Sequence, residues 1–242
     1  MLVASAPRNP AVLSYLALRK AVGIVALALP LTLWLSTLLD ESSVVPASIS
    51  GYYYGEMRDF FVGSLCAIAM FMLCCRGYDR KDEIAGVFSA VCTLAVAFFP
   101  TAPEHGATPQ QYRIGELHYT FAALLFATLA YFCLVLFKMT ARGHRLTPKK
   151  RQRNGIYTIC GIAILTSMLL VYVFHRLHVE HLIGKLAPTF CFESTSLIAF
   201  GIAWLVKGET FLKDVQSEHI DKKESELPGQ SNHKRLADPF PI

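Results

Sequence analysis

The chain has 242 residues, 53% of them hydrophobic and 17% charged, a balance too apolar for most soluble domains of this length. The apolar residues arrive in blocks, without the alternation of an outer-membrane strand. The net charge of +5 is spread unevenly, and its densest basic segment, 138–153, has no interleaved aromatic residues, which argues against a nucleic-acid partner.

Six runs read as transmembrane helices: 20–39, 59–75, 84–100, 117–137, 155–174 and 186–206. About 20 apolar residues in a helix cross roughly 30 Å of hydrocarbon while satisfying their own backbone hydrogen bonds. The first run follows Arg19 and Lys20, holds Pro30 and Trp34, and lacks a small-residue cleavage pattern after Leu39. It therefore reads as a retained helix rather than a signal peptide. The second and third runs are short, near the lower limit for a span. The predicted fold is all-α: a polytopic six-helix membrane bundle over residues 1–207. A polar tail, 208–242, follows it without apolar periodicity.

Basic residues orient such a bundle, because loops retained in the cytoplasm are enriched in Lys and Arg. Of the 23 Lys and Arg, all but Arg58, Arg113, Arg176 and Lys185 fall on the side that holds both termini. The expectation is an inner (plasma) membrane protein with both termini cytoplasmic, and with outward loops 40–58, 101–116 and 175–185. The seven cysteines all lie in or at the ends of helices, with no CxxC pair, so they read as small apolar residues rather than a disulfide framework.

Ionisable residues within membrane helices cost about 2.5–3.5 kcal/mol each on insertion scales, so each wants a reason. They gather in the outer halves. Glu193 lies in the polar stretch Phe192-Glu-Ser-Thr-Ser196 of the last run. It reads either as a structural carboxyl or as a ligand-binding or proton-handling one. Arg58 and Asp59 open the second run, and Asp59 there also suits a helix N-terminus. Glu116 and His118 precede or open the fourth. Tyr52, Tyr53 and Tyr54 lie between Gly51 and Gly55, as an aromatic belt at headgroup level or a lid-like element over a cavity. His175, His178 and His181 have i, i+3, i+6 spacing, and three ligands from one helix face do not follow from it. His118 with His175 could hold a b-type haem, and His118, His175 or His178 with a carboxylate could hold zinc against a lipid ester or amide.

Several segments carry a resemblance. Ser48-Ile-Ser-Gly-Tyr-Tyr-Tyr54 leads through Met57-Arg-Asp-Phe-Phe-Val-Gly63 into the second run, followed by Arg76-Gly-Tyr-Asp-Arg80 and His118-Tyr-Thr-Phe-Ala122. The pattern resembles bacterial six-helix membrane proteins of unknown function, distantly similar to the DRAM/FRAG/SFK group. That resemblance spans most of residues 15–207 and implies a six-helix topology with a role in lipid organisation. It transfers no residue role. The leading expectation is an outward polar pocket for a lipid headgroup or small amphiphile. Arg58, Asp59, Glu116, His118 and Glu193 would line it, Tyr53 and its neighbours would cover it, membrane lipids would be its partners, and no cofactor would be needed. The alternatives are a zinc- or haem-dependent membrane enzyme and a small transporter.

Overall fold

The computed structural model describes residues 15–39, 44–75, 80–103, 106–139, 147–177 and 187–210. Six α-helices run through them: α1 (Tyr15–Leu39), α2 (Arg58–Cys74), α3 (Arg80–Phe98), α4 (Pro109–Leu134), α5 (Pro148–Leu177) and α6 (Pro188–Lys207). Two short 3-10 turns, Ile49–Tyr54 and Leu136–Lys138, precede α2 and follow α4. His178, His181, Lys185 and the tail from 211 onward lie outside the described residues.

Each helix packs against its neighbours in the chain, and α6 returns against α1, which closes the six into a ring. The order is up-and-down. Close approaches pair Gly86 of α3 with Met72 of α2, Gly161 of α5 with Cys133 and Leu134 of α4, and Gly208 with Lys20. One end of the bundle thus collects Arg19, Lys20, Arg80, Lys81, Lys138, Lys150, Arg153 and Lys207. The other collects Arg58, Arg113, Arg176 and the Tyr52–Tyr54 turn.

Several helices begin farther out than hydropathy places them, for local reasons. At α4 the Thr108 hydroxyl accepts from the Gln111 backbone N–H (3.3 Å), and the Gln111 side chain accepts from the Thr108 N–H (2.8 Å). That reciprocal cap, with Pro109 at the first position, starts the helix two turns before the apolar run. Glu116 therefore lies within α4 rather than in a loop. At α5 the Thr147 hydroxyl accepts from the Lys150 N–H (3.1 Å) just ahead of Pro148. Pro188 opens α6 after Ala187, which holds the left-handed conformation at φ 39°.

Among the described residues, four helices are long and apolar enough to cross a membrane: Leu16–Leu39, Pro109–Lys138, Pro148–Leu177 and Pro188–Lys207. The other two fall short for different reasons. α2 has only 17 residues, and α3 spends its first turn on Arg80, Lys81, Asp82 and Glu83. The surface is apolar where a lipid-facing surface should be. Ile159, Ile162, Leu165 and Leu169 of α5 are exposed, as are Ile24, Leu31 and Leu35 of α1. Small and hydroxylated residues lie inside instead: Ala85, Gly86, Ser89, Ala90, Thr93 and Ala97 form the buried face of α3. In lipid, helices associate through close packing of such residues rather than through expulsion of water. The interior hydroxyl of Thr93 turns back on its own helix by donating to the Ser89 carbonyl (2.7 Å).

A close backbone-to-backbone contact joins α1 to α6. A Cβ on Gly201 would come within 2.9 Å of the Gly23 carbonyl oxygen, and one on Gly23 within 2.9 Å of the Gly201 oxygen. Two backbones meet there with no room for a side chain on either. On the Lys207 side of this crossing the core is aromatic: Trp204 rings with Phe132, Phe137 and Phe200, and Phe137 with Tyr157.

Candidate functional site

The polar residues singled out by hydropathy gather near the Tyr52–Tyr54 end, where they tie loops to helices. The segment ahead of α2 folds over the start of α6. The Phe190 N–H donates to the Ala47 carbonyl (2.9 Å), and the Ile49 N–H donates to Glu193 Oε2 (2.7 Å). Ser48 caps the 3-10 turn by accepting from the Gly51 N–H (3.1 Å). Glu193 thus satisfies the first amide of a turn that lies 144 residues earlier in sequence. Its hydroxylated neighbours are local: Thr195 donates to the Cys191 carbonyl and Ser196 to that of Phe192.

The three tyrosines point to three different tasks. Tyr52 is buried, tilted against Phe190, and lies beside Thr37 of α1; burial pushes its phenol up to about 12. Tyr53 presents its hydroxyl to Arg58 Nη2 at 2.8 Å and its ring to the guanidinium, 4.4 Å from the centroid. Tyr54 donates to the Thr101 carbonyl and so fastens the turn to the segment between α3 and α4. One face of that segment rests on Gly115, where an added Cβ would meet the Ala102 nitrogen at 2.9 Å.

His118 completes the frame. It is buried, and its Nδ1 lies 2.6 Å from the Phe99 carbonyl, a bond that fixes the proton on that nitrogen. Its ring and that of exposed His175 each meet Tyr119, at centroid distances of 5.8 and 6.2 Å. For His118 to hold zinc or haem iron through Nδ1, the Phe99 bond would first have to break. No group of three metal-binding side chains occurs among the described residues.

Arg58, Asp59 and Glu116 are exposed, whereas His118 is buried and Glu193 half-buried. Glu193 and Tyr53 therefore belong to one folded segment, Arg58 joins it through Tyr53, and His118 joins through Phe99 and Thr101. Asp59 opens α2, where its charge suits the helix N-terminus. The Glu116 carbonyl accepts from Thr120, an interaction of its backbone alone. The residues that composition did not flag, Thr101, Gly115 and Phe190, act through backbone atoms or close packing. A single sequence carries no pattern for such contacts.

No protein-family model matches the chain, and no curated protein or solved structure matches it.

Proposed function

We propose that the protein spans the inner membrane six times, with both termini in the cytoplasm, and binds a lipid headgroup or small amphiphile at its outward end. The place of α2 and α3 in the ring supports their crossing. They lie between α1 and α4, both long enough to span, and a closed ring leaves them in the same layer. Charge supports the orientation, since ten of the thirteen described Lys and Arg residues lie at the Lys207 end. Kinship with the DRAM/FRAG/SFK group belongs to the same proposal. So does the absence of any need for a cofactor or a catalytic step.

The observation that carries the binding reading is Arg58. Its guanidinium is exposed at the bundle rim and held by Tyr53 through one hydrogen bond and one ring face. An arginine pre-positioned in this way can offer its remaining N–H groups to a phosphate or carboxylate. Exposed Tyr54, Tyr112 and Tyr119 lie at the same end, as aromatic residues at the headgroup level do.

Lipid profiling of detergent-purified protein tests this reading. Arg58→Ala should retain anionic lipid roughly tenfold less well than wild type, the loss of one charge-assisted contact. An unchanged lipid complement would remove Arg58 from the site. Topology is tested by alkaline phosphatase fusions, active only outside the cytoplasm. Fusion after Lys207 should be silent, fusion at Glu56 active, and fusion after Cys75 silent. Activity after Cys75 would show that α2 does not cross.

A further inference from the structure

Facing residues set the relative heights of α2 to α5. At the Tyr52–Tyr54 end, His118 of α4 meets the Phe99 carbonyl just past α3, and Tyr119 meets His175 of α5. Deeper in, Gly86 of α3 lies against the Met72 carbonyl of α2, and Gly161 of α5 against Cys133 and Leu134 of α4. From their common outer level the helices reach charge at different depths. At 1.5 Å per residue, α3 runs about 24 Å inward from Phe99 to exposed Glu83. α4 with its 3-10 turn runs about 30 Å from His118 to Lys138, and α5 about 33 Å from His175 to Arg153. α2 matches α3, since exposed Asp59 lies only about 22 Å from Cys74 at its other end.

The shortfall lies on the outer surface of the ring. The exposed stripe of α3 is apolar from Ile84 through Phe88 and Val91 to Phe98, and exposed Glu83 abuts it. On α2, exposed Gly63 and Met70 continue the stripe that Asp59 begins. Long Lys and Arg stems can lift their charge towards headgroups, but the short carboxylates of Asp59 and Glu83 cannot. Tilt does not remove the difference. Fitting 33 Å of α5 into the 24 Å of α3 needs a tilt of about 43°, past the ~40° that bounds membrane helices.

We infer that the α2–α3 face is a docking surface for phospholipids with short acyl chains, beside which the bilayer is thinner than at the α4–α5 face. The difference in height is about 6–9 Å. This surface presupposes the six crossings proposed above and is independent of Arg58. A bilayer of uniform thickness would either draw Asp59 and Glu83 into hydrocarbon or lift exposed Val135 and Ile159 into the headgroups. Both are unfavourable, and shorter chains beside α2 and α3 relieve both.

The test reads each face with its own tryptophan. Full-length Trp34→Phe protein carries either Val91→Trp on α3 or Ile162→Trp on α5, both at exposed apolar positions, while buried Trp204 stays as a constant background. Each is placed in phosphatidylcholine vesicles doped with brominated phosphatidylcholine, a fluorescence quencher, of about 14 to 22 carbons per chain. Quenching at Val91→Trp should be greatest for chains about four carbons shorter than those that best quench Ile162→Trp. Asp59→Leu with Glu83→Leu lengthens the apolar stripe and should bring the two optima together. A common optimum in the two reporters overturns the inference and leaves the six crossings standing. Quenching at Ile162→Trp with none at Val91→Trp for any chain length overturns it as well, and assigns the α2–α3 face to a protein partner or a second copy. Phosphatase activity in the fusion after Cys75 overturns it together with the six crossings.

Discussion

Gly201→Val is expected to lower stability by about 3 kcal/mol. The new side chain has nowhere to go. Its Cβ alone would lie 2.9 Å from the Gly23 carbonyl and 2.8 Å from Leu27 Cγ, and the carbonyl cannot rotate away without unwinding α1. The helices must separate, and with them the contact that closes the ring. Gly155→Val is the control, since nothing lies within 4 Å of a Cβ at that position on α5. Thermal unfolding of the two variants side by side decides the matter. Equal stability would mean that α1 and α6 are not in the close contact described.

Glu193→Ala is expected to cost about 2 kcal/mol and to free the segment from Ala47 to Tyr54. The Ile49 N–H would lose a charged acceptor 2.7 Å away and find only the methyl group of alanine. Glu193→Gln keeps an oxygen at the same reach and should cost less than about 1 kcal/mol. Hydrogen exchange at Ile49, Gly51 and Tyr52 reports the latch directly, and protease sensitivity near Glu56 reports its release. If glutamine proves as damaging as alanine, the negative charge matters rather than the acceptor. Glu193 would then be a ligand- or proton-handling carboxylate.

The helices were legible in the sequence because each depends on the composition of one continuous stretch. The six predicted runs fall inside the six observed helices to within a few residues at most ends. The larger departures, at the starts of α4 and α5, come from Pro109 and Pro148 and the threonines that cap them. The candidate site was legible only as an inventory. Glu193 stood out because a carboxylate in an apolar run is costly. Its partner is a backbone amide in a distant loop, and backbone amides look alike in every sequence. Arg58 is read as meeting a ligand's anionic group, and within the fold its guanidinium also donates to Tyr53, five residues away. At the opposite end, Arg19, Lys150, Arg153 and Lys207 read as markers of orientation. Their convergence depends on the closure of α1 onto α6, which no local pattern announces.

That closure has a consequence for how the protein is made. α1, which precedes the other five helices in the chain, has one of its two principal neighbours, α6, at the far end of the ring. Until Pro188–Lys207 leaves the ribosome and enters the bilayer, the groove at Gly23 faces lipid, with no partner of its own chain to fill it. Partners for α2 to α5 arrive in order, each beside its predecessor. α1 must wait through all of them. The ring therefore closes by a lateral docking of α6 on α1, and a chain truncated before Pro188 would remain an open row rather than a ring.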